Sequence, residues 1–141
     1  MLKLSTKGRY GVRLMLDLAM HFGCGPVPLK GIAQRQEISE KYLGNLIVPL
    51  KNAGLINSSR GPSGGYLLSR PPKKINLKEV ISVLEGPMCL VDCVNDPSVC
   101  KRSDKCVARD VWKETTQKML QVFSRITLER MANKQKHKEE Q

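Results

Sequence analysis

The pattern of apolar residues predicts a chain that is mainly helical. Residues 5–22 carry an apolar stripe at helical spacing, which can begin at a Ser5 or Thr6 cap, and a second, shorter stripe follows. A third helix should follow Ser39, whose side-chain oxygen can accept from free backbone amides, and Gly54 is placed to end it. Two short helices joined by about four residues, the second starting at a Ser cap, predict a helix-turn-helix.

A β-hairpin is predicted directly after the third helix. The segment LINSSRGPSGGYLLS alternates between apolar and polar positions on either side of a glycine-rich turn at residues 60–65. A hairpin in this position is a wing, and Arg60 with Ser63 in its turn can approach phosphates or a minor groove.

The outward face of the third helix carries small or hydrogen-bonding groups that could read base edges. They are Glu40, Lys41, Gly44, Asn45 and Lys51. An ordinary solvated helix face is the alternative, since most exposed helix faces are polar. The wing that follows favours DNA recognition.

The second half of the chain predicts two more helices separated by a cysteine-rich loop. Asn76, with Glu79 three residues later, is a capping signal at the start of NLKEVISVLEG. Residues 107–131 carry a seam that repeats every seven residues, which suits packing along a second copy in a dimer. Packing against the front half of the same chain is the alternative. The segment at 132–141 has no apolar period, which predicts a frayed tail.

These elements predict a mainly α fold with a small β-hairpin wing: a winged helix-turn-helix plus a long C-terminal dimerisation helix. The parts are a DNA-binding region at 1–75, a linking helix and cysteine loop at 76–106, a dimerisation helix at 107–131 and a flexible tail at 132–141.

The charge of the chain favours a polyanionic partner. The chain has 24 Lys and Arg against 13 Asp and Glu, a net charge of +11, and residues 1–80 hold 13 of the basic but only 4 of the acidic residues. Nucleic acid or an acidic membrane surface would match this charge. No apolar run reaches the roughly 18 residues of a membrane span, and no secretory signal is evident, so we expect a cytoplasmic protein without a membrane partner.

Three of the five cysteines lie together in CVNDPSVCKRSDKC, as Cys93, Cys100 and Cys106. An odd number of cysteines in a cytosolic chain argues against a disulfide framework. The gaps are wider than the tight pairs of structural zinc sites, which favours an iron–sulfur cluster, while zinc, redox thiols and inert cysteines stay open. Cys24 and Cys89 are expected to be small buried hydrophobes near helix ends.

Several segments together resemble the IscR/NsrR/CymR family of winged helix-turn-helix repressors, and its IscR-like members most. They are KGRYGVRLMLDLA, ISEKYLGNLIVPLKNAGLI, SSRGPSGGYLLSR, EVISVLEG and the three cysteines closed by DKC, with a tryptophan six residues later. The resemblance covers residues 1–130.

The resemblance implies a homodimer that binds a palindromic double-stranded DNA operator and represses iron–sulfur cluster biogenesis genes. It implies a [2Fe-2S] cluster near the dimer interface. The cluster ligands would be Cys93, Cys100 and Cys106. On the DNA side it implies Ser39, Lys41, Tyr42 and Asn45 on the recognition helix and Arg60 in the wing, to which the residue pattern adds Lys51 and Ser63.

The chain departs from this family at the fourth cluster ligand. IscR-like members carry a histidine where this chain has Arg109, and an arginine cannot lose its proton to bind iron. Asp110, four residues after Cys106, is therefore the first candidate, and Asp104, Asp92, Cys89 and His21 follow it. A cluster-free repressor of the CymR type, with redox thiols or a partner enzyme as its control, and a zinc-stabilised RNA-binding protein are the alternatives. No catalytic motif is present, so we do not expect an enzyme.

Overall fold

The computed structural model describes residues 3–141, so the first two residues of the predicted DNA-binding region lie outside it. Seven helices and one two-stranded antiparallel sheet form the chain that it describes. They are α1 (Thr6–Met20), α2 (Leu29–Gln36), α3 (Glu40–Asn52), β1 (Ile56–Ser59), β2 (Gly65–Leu68), α4 (Leu77–Glu85), α5 (Asp92–Asn95), α6 (Val107–Arg125) and α7 (Leu128–Glu139). The mainly α fold with a hairpin wing is confirmed.

The predicted capping residues begin the helices of the DNA-binding region. Ser5 accepts from the amide of Gly8 at the start of α1, and Ser39 accepts from the amide of Tyr42 over 3.1 Å at the start of α3. At α4 the Asn76 and Glu79 side chains form a reciprocal capping box with hydrogen bonds of 2.9 and 3.0 Å. These short-range contacts satisfy amides that have no partner inside the helix.

One hydrophobic core joins α1 to the helix-turn-helix, the wing, α4 and α7. It is formed by fully buried side chains, among them Leu14, Met15, Ile32, Leu43, Leu50, Ile56, Val80 and Leu128. Burying each such side chain stabilises the fold by about 1.5–3 kcal/mol. The same core therefore fixes the direction in which α3 and the wing face.

Helices α1 and α4 approach closely through two glycines. A Cβ at Gly11 would overlap the Leu84 side chain, and one at Gly8 would overlap Glu85. The Glu85 carboxylate also accepts from the amide and the hydroxyl of Ser5. The end of α4, from which the cysteine loop departs, is thus fixed against the start of α1.

The wing hairpin pairs Ile56 with Leu68 and Ser59 with Gly65. Val27, between α1 and α2, adds a bridge to Tyr66 with two backbone hydrogen bonds of 2.9 Å. A side chain at Gly65 would overlap the backbone of Val27, so this position requires glycine. The wing is therefore held against the helix-turn-helix by its own backbone.

The prediction of one helix over 107–131 and a flexible tail over 132–141 is wrong. Helix α6 ends at Arg125, Ile126 and Thr127 are extended, and α7 continues to Glu139. The amide of Leu77 donates a 2.8 Å hydrogen bond to the carbonyl oxygen of Ile126, and the amide of Leu128 donates one of 2.9 Å to the carbonyl oxygen of Ile75. These two hydrogen bonds form a long-range β-bridge between Asn76 and Thr127 that interrupts the helix. Thr127 then caps α7, which packs against α1.

Helix α6 buries little of its apolar surface in the single chain. Among its 19 residues only Thr116 is buried, while Val107 is 75% and Val122 is 55% exposed. We call the exposed side chains Val107, Val111, Trp112 and Val122 the α6 apolar face. None of the helices in residues 3–141 is both long and apolar enough to cross a membrane.

Candidate DNA-binding surface and cysteine loop

Helix α3 presents a continuous exposed face opposite the core. Lys41, Asn45 and Lys51 are exposed, whereas Leu43 and Leu50 are fully buried. A helix that is anchored along one side and polar on the other can enter a major groove without unfolding. The three predicted DNA contacts are thus exposed on the side of α3 that faces away from the core.

Two other predicted contacts have structural partners as well. The Ser39 hydroxyl accepts from the amide of Tyr42 as the helix cap. The Tyr42 ring packs edge-on against Tyr10 of α1, with ring centroids 5.7 Å apart and planes at 86°. Ser39 is exposed and Tyr42 half-buried, so each retains a surface that can contact DNA.

The wing places its two predicted contacts in solvent beyond the strands. Arg60 and Ser63 are both exposed in the turn, where Gly61 adopts a positive φ of 103°. Lys51 at the end of α3 donates a 2.8 Å hydrogen bond to Ser58 of β1, which connects the recognition helix to the wing. The two elements therefore present one joint surface.

Basic side chains at the start of α1 border this surface, and sequence reasoning missed them. The guanidinium carbons of Arg9 and Arg13 lie 5.6 and 5.3 Å from the centroid of the Tyr10 ring. Arg13 also donates to the side chain of Gln36 over 3.2 Å and to its backbone carbonyl. The available signal was local, because the two arginines are one turn apart and flank the tyrosine.

A buried carboxylate joins α1 to α2, the first helix of the helix-turn-helix. Asp17 is 2% exposed and accepts two hydrogen bonds from Arg35, of 2.8 and 3.0 Å, and one of 3.0 Å from Gln36. These hydrogen bonds raise the pKa of the Arg35 guanidinium above its usual value. The pair fixes α2 in position behind α3.

The segment that connects α4 with α6 carries four free thiols, Cys89 near its start and then the three predicted cluster ligands. Cys93 and Cys106 are half-buried and Cys100 is exposed. Ser103, at 5% exposure, donates to the carbonyl oxygens of Pro97 and Cys100 over 2.8 and 2.9 Å. A buried hydroxyl therefore holds the turn on which Cys100 lies.

Arg109 links the two half-buried cysteines. Its Nε donates a 2.8 Å hydrogen bond to the carbonyl oxygen of Cys93. Its backbone amide donates a 3.4 Å hydrogen bond to the sulfur of Cys106, the N-cap of α6. Sequence reasoning identified Arg109 only as a residue unable to bind iron. Its contact with Cys93 spans 16 residues, so no local pattern indicates it.

The donor chemistry of the loop fits a metal cluster better than the positions of its side chains do. Three free thiols on one loop are the usual ligands of iron–sulfur clusters. Yet nowhere in residues 3–141 do three His, Cys, Asp or Glu side chains meet as a metal site would require. Asp110 lies exposed in the first turn of α6.

The two remaining cysteines lie outside this loop or at its start. Cys24, expected to be buried, is exposed in the turn after α1, so that expectation is wrong. The turn leaves the core because Gly23 and Gly25, on both sides of Cys24, adopt positive φ values of 88° and 86°. Cys89 is half-buried.

Comparison with known proteins decides the family. The model of the Rrf2 family, described as an iron-dependent transcriptional regulator, matches residues 4–134. The chain belongs to the Rrf2 family. As an Rrf2 protein it is a DNA-binding transcriptional regulator, which accounts for the exposed face of α3, the wing and the basic charge.

Relatives of this Rrf2 protein include both IscR and CymR proteins. CymR of Bacillus subtilis is 44% identical over 132 residues, which cover 94% of this chain and 91% of CymR. IscR of Xenorhabdus nematophila is 38% identical over 134 residues, which cover 95% of this chain and 81% of that IscR.

Solved structures of a CymR and of an IscR both resemble this chain. The structure of CymR (YrzC), the global cysteine regulator of B. subtilis, superposes with a TM-score of 0.80 at 42% identity, covering 94% of this chain and 98% of CymR. T. potens IscR superposes with a TM-score of 0.78 at 44% identity, covering 94% of this chain and 88% of that protein. Similarity alone therefore does not separate the two kinds of regulator within the Rrf2 family.

Proposed function

We propose that this protein is a homodimeric repressor of iron–sulfur cluster biogenesis genes that senses a cluster, most simply [2Fe-2S]. The observation that carries the proposal is the position of the three free thiols, on one loop between α4 of the DNA-binding region and α6. A ligand bound there would touch both the DNA-binding module and the helix that bears the α6 apolar face.

Within this proposal the three thiolates Cys93, Cys100 and Cys106 hold the cluster. When bound, the cluster supplies iron corners that exchange ligands and electrons. Arg109 keeps two of the three residues adjacent, through the Cys93 carbonyl and the Cys106 sulfur. Cys100 is exposed, so binding requires the loop to bring this residue inward.

The fourth ligand proposed is Asp110. It is one turn beyond Cys106, and its carboxylate is exposed and free to turn towards the loop. Carboxylate oxygen is a harder ligand than thiolate, so a cluster with this ligand should differ spectroscopically from one with four cysteines. Substituting Asp110→Ala should shift the visible spectrum of the loaded protein.

The DNA contacts proposed are the residues of the exposed α3 face and of the wing. They are Ser39, Lys41, Tyr42, Asn45, Lys51, Arg60 and Ser63. Two copies joined through the α6 apolar face would present two such surfaces, which suits a palindromic operator with half-sites about one helical turn apart or a multiple of it. This regulator would act in the cytoplasm, where bacterial DNA lies.

The test is anaerobic purification followed by visible absorption spectroscopy and assays of iron and acid-labile sulfide. We expect a coloured protein with about two iron and two sulfide per chain. The Cys93→Ala, Cys100→Ala, Cys106→Ala variant should be colourless and still folded. A wild-type protein that is colourless and iron-free but regulates normally in cells contradicts cluster sensing.

A cluster-free repressor of the CymR type is the second candidate. It is favoured by the positions of the possible ligands, because from residue 3 onward no three His, Cys, Asp or Glu side chains lie close enough together to hold a metal ion. In that case the cysteines act as redox thiols or a partner enzyme supplies the signal. Unchanged regulation by the triple alanine variant in cells, together with an iron-free wild type, would favour this candidate.

A further inference from the structure

Val48 is an apolar side chain in the middle of an otherwise polar recognition surface. Its side chain is 58% exposed, whereas Leu43 and Leu50 on the other side of α3 are fully buried. Lys41, Asn45 and Val48 recur at intervals of four and three residues and share the face opposite Leu50. Val48 is therefore placed to enter whatever groove receives α3.

The stability of the chain does not account for a valine at this position. A β-branched side chain loses rotamer freedom in a helix, and the ring of a proline disfavours helical geometry at the residue before it. Val48 carries both disadvantages, because Pro49 follows it within α3. Since its side chain remains exposed, little burial offsets them.

The surroundings of Val48 allow close contact with a ligand. Gly44, one turn earlier, has open space where a Cβ would be, since no described atom outside its chain neighbours and its own helix backbone lies within 4 Å. The α3 backbone can therefore approach base edges closely at this point. Asn45 lies beside it with an exposed amide, the group that pairs with the N6 and N7 edge of adenine.

We propose that Val48 is a specificity-determining residue that packs against the C5 methyl group of a thymine in the major groove. The thymine methyl is the apolar feature of the major groove, and small apolar side chains recognise it by contact. The half-site of the operator then contains an A·T pair beneath Val48. The inference rests on the proposed DNA-binding surface and names the base that part of it recognises.

The test begins with selection of duplexes from a random library by the full-length protein, both as purified anaerobically and after chelator treatment. Each thymine of the selected half-site is then replaced singly by deoxyuridine, which removes only the C5 methyl. We expect one replacement to weaken wild-type binding about fourfold, the factor expected for one methyl-sized apolar group. Val48→Ser should bind the thymine duplex with a similar loss.

The decisive result is the combination of the two changes. Val48→Ser should lose nothing further on the deoxyuridine duplex, because the methyl contact is already absent. Val99→Ser is the matched control, since Val99 is also 58% exposed but lies in the cysteine loop, and it should keep the wild-type response. Val48→Ala provides a second variant, and the midpoint of thermal unfolding of each protein verifies its fold.

Two outcomes overturn the inference. Wild-type binding that is indifferent to deoxyuridine at every thymine excludes a methyl contact, and sensitivity that persists in both Val48 variants assigns the contact to another residue. If neither protein form enriches any duplex, the result is a different one, because it overturns the proposed DNA-binding surface itself.

Discussion

The Nε of Arg109 donates a 2.8 Å hydrogen bond to the carbonyl oxygen of Cys93, while the amide of the same residue donates to the sulfur of Cys106. One residue of α6 thus connects the first and last cysteines of a loop that contains two 3-10 turns and one short helix. The order of the loop depends on this residue more than on buried apolar surface, because every valine in the loop is partly or largely exposed.

Replacing Arg109 by leucine should loosen the cysteine loop. A hydrogen bond from a charged group contributes about 1.5 kcal/mol, so its loss should raise the labelling rate of Cys93 by a thiol reagent about tenfold. Arg102→Leu, in an exposed part of the same loop, is the control and should leave the rate unchanged. Equal rates in both variants would mean that the contact does not order the loop.

Replacing Gly11 by alanine should destabilise the DNA-binding region. The new Cβ would overlap Leu84 at the α1–α4 contact, and such overpacking costs about 1–3 kcal/mol. Gly44→Ala is the matched control, because its Cβ meets open space and alanine favours a helix, so stability should stay equal or rise. Urea unfolding measures both, and an unchanged midpoint for Gly11→Ala contradicts the close approach.

Replacing Asp17 by asparagine should lower the free energy of unfolding by about 1–2 kcal/mol. The expected loss of stability is modest because Arg35, although paired with a buried carboxylate, is itself 41% exposed and so remains accessible to water. Glu37→Gln, an exposed carboxylate change in the turn after α2, should alter stability much less. Chemical denaturation near neutral pH compares the two, and equal losses would refute a special role for Asp17.

Replacing Arg60 by alanine should weaken binding to all duplexes to a similar extent. If the arginine contacts phosphate, the slope of log affinity against log salt should fall by about one. Fluorescence anisotropy between low and moderate salt measures this slope. Lys138→Ala, an exposed change near the end of α7, serves as the control, and an unaltered slope for Arg60→Ala would argue against a phosphate contact.

Replacing Val122 by aspartate should convert a dimer into monomers. A charge placed on the α6 apolar face would be desolvated in the interface without a partner, at a cost of several kcal/mol. Gln117→Asp changes an exposed position on the opposite side of the same helix and should leave the dimer intact. Light scattering during size-exclusion chromatography determines the mass of each protein. A monomeric wild-type protein would contradict the proposed dimer.

The elements that could be predicted from sequence are those fixed by short-range signals. Ser5, Ser39 and the Asn76–Glu79 pair mark helix starts within three residues of the amides that they cap, and the wing turn is marked by its glycines. Each signal acts locally, so composition and spacing are sufficient to locate it.

The features that were missed depend on residues far apart in the chain. Helix α6 ends at Arg125 because residues 75–77 pair with residues 126–128, and nothing near Arg125 indicates that partner. The link between Arg109 and Cys93 is of the same kind. In α7 a local signal did exist, since Thr127 precedes apolar residues at Leu128 and Ala132, but the abundance of lysine concealed it.

The bridge between Asn76 and Thr127 gives α6 the geometry of a lever. At 1.5 Å per residue its 19 residues span about 28 Å, from the cysteine loop at one end to the bridge at the other. A tilt of about 10° at the bridge would move the other end by about 5 Å over that length. In the proposed symmetric dimer, a displacement of that size would change the separation of the two copies of α3.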